Sequence, residues 1–186
     1  PLIQPIVLDG LVLLYNGELY GYEEYCPACK SDGEAILPLY LQYGLSFVKH
    51  LRGEFALAIL DLARKRLVLA TDLFRTKPLW LSRGPSHFGA ATYASVLERL
   101  ELPSPDLLPP NAAIAFRLES GLPVEGWERG VELDTRQWKT TTTDFEAAFE
   151  QSVAARVPRA AGFLGLSSGL DSGAIHLALL KAGAPH

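Results

Sequence analysis

The sequence predicts an α+β domain rich in antiparallel strands, followed by the opening of a parallel α/β domain. Short apolar runs separated by turn signals fill most of the first two thirds of the chain. A helix, strand, loop, helix pattern follows Trp138, after a break marked by the run Thr140 to Thr143. With 186 residues the chain has room for one domain and part of a second, at roughly 150 residues per domain.

The elements follow in order. Ile6 to Leu8 and Leu11 to Tyr15 flank Asp9-Gly10, a hairpin signal because a type I′ turn needs positive φ at both central residues. A helix is predicted from Asp32 to about Tyr43. Ser31 and Glu34 are spaced as a capping box, and Ile36, Leu37, Tyr40 and Leu41 make an apolar stripe. Pro38 inside it should kink the helix or shift its start. Phe55 to Leu60, Leu67 to Thr71, Leu79 to Ser82 and Phe88 to Ala91 read as strands, with Arg64, Lys65 and Arg66 at a hairpin tip. After the four prolines between Glu101 and Pro110, Ile114 to Arg117 and Pro123 to Trp127 form a strand pair around Ser120-Gly121. Phe145, Ala148, Phe149, Ser152, Val153 and Arg156 have helical spacing to about Val157, with Asp144 placed as cap. Pro158 ends that helix. Ala161 to Leu166 reads as a short strand, Ser167 to Ser172 as a polar turn, and Gly173 to Lys181 as a helix.

Composition narrows the classes. Hydrophobic residues make up 48% and charged residues 20%, close to the soluble globular average and unlike disordered or fibrous chains. Seventeen Lys and Arg against twenty-one Asp and Glu leave a net charge of -4 without a basic stripe, which argues against a nucleic-acid partner. No apolar run approaches the roughly 20 residues that span a bilayer, so no membrane partner is expected. The start at Pro1, the lack of Met and the final apolar helix with nothing after it to pack against suggest a piece of a longer protein. Cys26 and Cys29 form one C-x-x-C without a second half. The pair reads as a loop before a helix rather than a metal or redox centre.

The loop from Ser167 to Ser172 carries the sharpest local signal. A strand emptying through Ser167-Ser168-Gly169-Leu170-Asp171-Ser172 into a helix aims backbone N–H groups and hydroxyls at one spot before a helix N-terminus, a geometry that binds phosphate. Asp171 would repel bare phosphate but suits a bridging divalent cation. The local pattern fits equally a plain helix start capped by Asp171 or Ser172. Gly165 to Gly169 also fits G-x-S-x-G, which would make Ser167 the nucleophile of an α/β-hydrolase. The mostly sheet-like first two thirds of the chain speak against that reading.

Five blocks in order resemble one family. VLLYNGELY (Val12 to Tyr20), Ser31 to Leu37, Leu51 to Ala58 ending in Asp61, Asp72 with Lys77-Pro78-Leu79, and Ser167 to Ser172 are similar to successive blocks of the glutamine-dependent asparagine synthetases. The last block looks like the S-G-G-L-D-S loop of ATP pyrophosphatases. The resemblance implies an Ntn-hydrolase-type four-layer αββα glutaminase domain over residues 1–138, incomplete at its N-terminus. Residues 139–186 would then begin an α/β ATP pyrophosphatase (PP-loop) domain. It implies glutamine hydrolysis feeding ammonia to an ATP- and Mg2+-dependent amidation of aspartate through an acyl-adenylate, giving asparagine, AMP and pyrophosphate. Glutamine, aspartate and ATP are the implied small-molecule partners, in a cytoplasmic enzyme for which a homodimer is allowed.

The resemblance also assigns residues. Asn16 and the Gly17 N–H match the oxyanion hole, and Glu18 and Asp32 match residues that hold glutamine, with Asp32 opposite its α-amino group. Leu166, Ser167, Ser168, Gly169, Leu170, Asp171 and Ser172 match the ATP and pyrophosphate loop, Asp171 meeting Mg2+. Taken alone, Asn16-Gly17 is equally a hairpin turn and Asp32 a first-turn helix acid. The family's N-terminal nucleophilic Cys is absent, so this chain alone is expected to be inactive. Ser168 and Arg75 stand where the family has Gly, and Thr71 where it has Arg. An amidotransferase acting on another carboxylate, a β-lactam-forming relative and an inactive homologue remain alternatives.

Overall fold

A computed structural model describes residues 3–84, 87–157 and 162–184. The chain divides into two compact units, Pro1–Leu133 and Asp134–His186. In the first, β1 (Ile6–Leu8), β2 (Leu11–Leu19), β3 (Gly53–Asp61), β4 (Arg66–Thr71), β8 (Ala112–Arg117) and β9 (Pro123–Arg129) form an antiparallel sheet in that order. A second antiparallel sheet has the order β6 (His87–Ala91), β5 (Trp80–Gly84), β7 (Asp106–Leu107). The hairpin signal at residues 9 and 10 is realised: Asp9 has φ 48° and Gly10 φ 76°, and Leu8 pairs with Leu11.

Strand alternation sorts the side chains into two cores. Leu11, Leu13, Tyr15 and Leu19 of β2 and Phe55, Leu57 and Ile59 of β3 face α1 (Ile36–Tyr43), whose Ile36, Leu37 and Tyr40 are fully buried against them. Ala56, Leu69 and Phe116 on the opposite face pack against Leu79, Leu81 and Leu108 from the second sheet and its flanks. Beyond that sheet, Leu97 of α2 (Ala94–Arg99) and Leu102 close over Gly89, where a Cβ would lie 2.5 Å from the Leu102 side chain and 3.2 Å from that of Leu97. Helix, sheet, sheet and helix are therefore stacked in four layers.

The structure corrects several local expectations. Asp32–Ala35 is a 3-10 turn and the α-helix begins at Ile36, which puts Pro38 in its first turn, where a missing N–H costs nothing. The capping box does not form. Glu34 Oε2 accepts from the Lys30 N–H at 2.7 Å and Ser31 makes no side-chain cap, because the tight 3-10 start changes which N–H groups are within reach. Cys26 and Cys29 are joined by a disulfide. At Arg75, where the family has Gly, φ is 53°; its guanidinium donates to the Leu108 carbonyl at 2.9 Å. Thr71 is buried and donates to the Pro109 carbonyl at 2.7 Å.

The second unit contains α3 (Thr143–Ala154) and α4 (Leu170–Lys181). Thr142, not Asp144, is the residue before α3; Asp144 lies in the first turn and pairs with Lys139. The expected strand at 161–166 is not formed over 162–166, since no strand among the described residues lies beside it to complete a ladder. Pro158 and Ala161 lie outside the described residues. Among the described residues no helix is long and apolar enough to cross a membrane.

Candidate functional site

The first unit concentrates its chemistry along β2. Asn16 and Gly17 are strand residues, not a turn: Asn16 pairs with Ala56 and Gly17 with Phe55 of β3. Antiparallel pairs alternate between hydrogen-bonded and open, and the backbone of Phe55 is spent on the far side. Its N–H donates to Asp72 Oδ2 at 3.0 Å and its carbonyl accepts from the Asp72 N–H at 3.0 Å. Gly17 therefore turns its own N–H away from β3, toward the edge of β2 that β1 leaves uncovered after Leu13.

That edge is bracketed by two side chains. On one flank Gln4 acts as a substitute strand: its Nε2 donates to the Tyr15 carbonyl at 2.5 Å, and the Tyr15 N–H donates to Gln4 Oε1 at 2.7 Å. On the other flank the Leu19 N–H donates to Asp32 Oδ2 at 3.0 Å. The Gly17 N–H lies between them. Only glycine fits there. φ is 155°, and a Cβ would fall on the Glu54 carbonyl oxygen and within 2.7 Å of the Phe55 Cα.

Asp32 is the most thoroughly held of the predicted residues. Besides Leu19, the Tyr15 hydroxyl donates to its Oδ2 at 2.8 Å and the Gly33 N–H to its Oδ1 at 2.8 Å. Burial, then the hydrogen bond to Asp32 and that carboxylate's charge, push the Tyr15 hydroxyl far above the usual tyrosine range, so it stays a donor at any working pH. Asn16 and Glu18 lie on the opposite face of β2, both exposed. Asn16 lines a cavity of about 180 Å³ with Gln4, Leu14, Ala56, Ala58 and Ala90. Glu18 is directly opposite Glu54, and Lys77 Nζ, 3.3 Å from Glu54 Oε1, offsets the like-charge pair.

The structure thus brings Gly17 and Asp32 to one strand edge and sets Asn16 and Glu18 on the adjoining face. Sequence reasoning missed Gln4 and Tyr15. Tyr15 sits beside Asn16 in the quoted block, but its link to Asp32 is long-range; nothing local marks Gln4. It also left Asp72 without a role. Asp72 is buried and accepts from the N–H groups of Phe55, Phe74 and Thr76 and the Thr76 hydroxyl, so it organises the turn after β4.

The loop of the second unit is arranged differently. Gly169 is the N-cap of α4 and no side chain caps the helix, so Leu170, Asp171 and Ser172 form its first turn rather than the loop, and neither Asp171 nor Ser172 is the cap. The Ser167 and Ser172 hydroxyls bond each other at 2.9 Å, and Ser167 Oγ accepts from the Gly169 N–H at 3.2 Å. Leu166, Ser167, Ser168, Gly169, Leu170 and Asp171 are exposed. Neither Ser167 nor Ser168 has positive φ, so Ser168 bears no left-handed strain in place of glycine. A hydrolase elbow needs a strand entering a strained turn; here the approach is strandless and the serine relaxed.

The uncapped helix start, with its exposed hydroxyls, is a donor set that fits a phosphate group. Among the described residues no group of three or more His, Cys, Asp or Glu is placed to hold a metal. A magnesium ion carried in by phosphates needs only one or two carboxylates, and Asp171 can supply one.

A family model described as a glutamine amidotransferase domain matches residues 3–101. The amidase chry2 of Gibberella zeae is 42% identical over 79 residues, 38% of this chain and 12% of that protein. The glutamine-hydrolysing asparagine synthetase 1 of Saccharomyces cerevisiae is 28% identical over 190 aligned positions, 92% of this chain and 32% of that protein. The chain thus spans about a third or less of these curated relatives. Among solved structures, the allosteric regulatory enzyme of purine biosynthesis superposes with a TM-score of 0.57 at 16% identity, covering 98% of this chain and 46% of that one. At that identity the likeness speaks for the fold alone, the arrangement of antiparallel sheets described above.

Proposed function

Since the chain belongs to the glutamine amidotransferase domain family, we propose that its first unit binds glutamine along the free edge of β2 and serves to release ammonia from the side-chain amide. The observation that carries this is the Gly17 N–H, aimed at an open strand edge beside Asn16 by a backbone that tolerates no side chain. Attack on the amide carbon puts negative charge on its oxygen. The Gly17 N–H and the Asn16 amide are the two donors for that charge, and a rigid strand holds donors in place without reorganisation. Asp32 faces the α-amino group and Glu18 helps to hold the substrate. The thiol nucleophile has to come from outside residues 1–186, because the chain's two cysteines are joined to each other; these residues alone are expected to be inactive.

The second unit begins an ATP-dependent synthetase domain of the PP-loop type. Leu166 to Ser172 meet the ATP phosphates, with Asp171 toward Mg2+, which neutralises phosphate charge when bound. The complete protein then amidates a carboxylate, aspartate by the family resemblance, as a cytoplasmic carbon–nitrogen ligase. The alignment with the yeast synthetase, which extends across both units, supports this. In the complete protein, Asn16→Ala should lower glutamine hydrolysis roughly 100 to 1,000-fold while synthesis from added ammonia survives. Equal loss of both activities would mean that Asn16 holds the fold instead.

A further inference from the structure

The function proposed above leaves Cys26 and Cys29 unused. Their disulfide lies within the segment that leads from Leu19, at the end of β2, to Asp32. The turn that carries it has support of its own. In Cys26-Pro27-Ala28-Cys29 the proline stands at the second position, where a ring that fixes φ is favoured. The Cys29 N–H donates to the Cys26 carbonyl at 3.0 Å, and the two Cα atoms are 5.4 Å apart. Other bonds tie down the rest of the segment. The Tyr20 N–H donates to the Arg52 carbonyl at 2.7 Å, the Cys26 N–H to the Tyr22 carbonyl at 2.8 Å and the Lys30 N–H to Glu34 Oε2 at 2.7 Å, while Tyr25 packs against the core that contains Leu19.

A disulfide stabilises a fold most when it closes a long loop. This one joins residues that a hydrogen-bonded turn already brings together. Its reduction therefore costs the fold little, and the two thiols stay neighbours, ready to close again. Both cysteines are half-buried and Pro27 and Ala28 between them are exposed, so a thiolate from solvent can approach the bond. Structural zinc needs four ligands, and among the described residues no third His, Cys, Asp or Glu joins the pair. In the cytoplasmic setting proposed above, disulfides are chiefly transient, and they serve catalysis or redox sensing.

The segment also touches the candidate site. Its two ends meet at the free edge of β2, where the Leu19 N–H donates to Asp32 Oδ2 at 3.0 Å. That bond involves no sulfur and survives reduction. What the disulfide removes is the freedom of the residues between, and a flank ordered in advance lowers the ordering cost of binding.

We propose that Cys26 and Cys29 are a redox-active pair, reduced reversibly by thiols, and that the oxidised form gives the β2 edge its higher affinity for glutamine. The coupling rests on the reading that this edge binds glutamine; the redox exchange does not. In the exchange a thiolate attacks one sulfur of the pair, the Cys26–Cys29 bond breaks and a mixed disulfide forms. A second thiolate attacks the outer sulfur of that mixed disulfide and releases the cysteine. Two thiols become one disulfide, and their two protons and two electrons end on Cys26 and Cys29.

The full-length protein, equilibrated in mixtures of reduced and oxidised glutathione and then alkylated, tests this through the mass of the peptide that holds both cysteines. The pair should pass from disulfide to two alkylated thiols across these mixtures, with the far-UV circular dichroism unchanged. The KM for glutamine should rise roughly 3 to 10-fold as the pair is reduced, the scale of leaving one or two side chains to be ordered by the ligand. Glutathione that blocks the thiol nucleophile lowers kcat and leaves KM alone, so the two effects separate. Cys26→Ser with Cys29→Ser should show the higher KM in every mixture. A pair that stays oxidised in reduced glutathione alone, or that is reduced only as the circular dichroism collapses, is a structural staple and overturns the proposal. A KM that is the same in both forms, or that shifts equally in the double variant, overturns the coupling and leaves the glutamine reading standing. If no mixture supports glutamine hydrolysis, the reading of the β2 edge falls, and the coupling with it.

Discussion

The Asp32 edge and the Ser167–Ser172 loop are both proposed ligand sites, and they are held together in opposite ways. At the first, every group is fixed by a segment distant in sequence: Asp32 by Tyr15 and Leu19, Gly17 by the backbone of β3, Tyr15 by Gln4. In the second, the hydrogen bonds stay within five residues, joining Ser167 to Ser172 and Gly169 to Ser167. The first site is therefore shaped by the sheet before any ligand arrives, as preorganised catalysis requires. The second keeps its hydroxyls occupied with each other, so a phosphate has to exchange those local bonds for its own. Substitutions at the edge should cost folding free energy, and substitutions in the loop should not.

Gly17 gives the largest effect. A methyl at Gly17→Ala meets backbone atoms of β3 rather than a movable side chain, in a conformation that L residues rarely adopt. Unfolding in urea should show a loss of about 4 kcal/mol, at the severe end for single substitutions. A loss below 1 kcal/mol would mean that β2 can shift, and the contrast between the sites would collapse.

The next test keeps to long-range bonding in the same unit. Asp61 is fully buried and accepts from the Tyr40 hydroxyl at 2.8 Å and from the Arg64 side chain at 3.1 Å, with Arg66 Nε 3.5 Å away. Burial opposes its charge, but hydrogen bonds from the Arg64 N–H, the Tyr40 hydroxyl and the Arg64 guanidinium win and hold it below the usual carboxylate range. Burial and the bond to Asp61 push Tyr40 up to about 12. A lowered acid stabilises the fold above its unfolded pKa of about 4 and loses that contribution as pH falls. A raised tyrosine stabilises it below about pH 10 and loses that contribution as pH rises toward 12. Asp61→Asn should cost about 3 kcal/mol at neutral pH, because it strips charge from a buried network, and should flatten the decline on the acid side. An unchanged acid limb would assign the decline to other carboxylates.

The Cys26–Cys29 bond is a short-range constraint inside the long-range site, and its effect should be intermediate. Closing so small a loop stabilises by about 2 kcal/mol in the chain-entropy account, so Cys26→Ser with Cys29→Ser should lower the unfolding free energy by no more than that. A larger drop would show that the disulfide also holds Asp32 in place.

The same division between near and distant explains what could be read from sequence. The hairpin at Asp9-Gly10 and the strands at Phe55 to Leu60 and Leu67 to Thr71 follow from turn chemistry and alternation, both local, and they agree with the structure. The Ser31–Glu34 cap and the Asp144 cap were also local signals, yet each was displaced when a 3-10 turn or Thr142 took the helix start. The strand expected before Ser167 needed a neighbouring strand that the described residues do not supply. Asn16, Gly17, Glu18 and Asp32 were singled out from sequence because a family block carries them, and their part in holding glutamine is the one proposed above. Their support from Gln4, Tyr15 and Asp72 was not legible, since each bond joins residues that no spacing rule connects.

Asp171 should show the smallest effect on folding. Its side chain is exposed in the first turn of α4, where a carboxylate gains only a few tenths of a kcal/mol from the helix dipole. Asp171→Asn should therefore change the unfolding free energy by less than about 0.5 kcal/mol. If the loop receives ATP as proposed, the same change should abolish ATP-to-pyrophosphate cleavage in the complete protein and leave glutamine hydrolysis largely intact, since one carboxylate is all the loop offers a phosphate-bound magnesium ion. A fluorophosphonate probe should leave Ser167 unlabelled, because a relaxed serine bonded to Ser172 is not an activated nucleophile. Covalent labelling of Ser167 with indifference to Asp171 would turn the loop from a phosphate site into a hydrolase elbow. A folding loss above 2 kcal/mol from Asp171→Asn would show that the loop, like the β2 edge, is held from a distance, and the contrast between the two sites would fail.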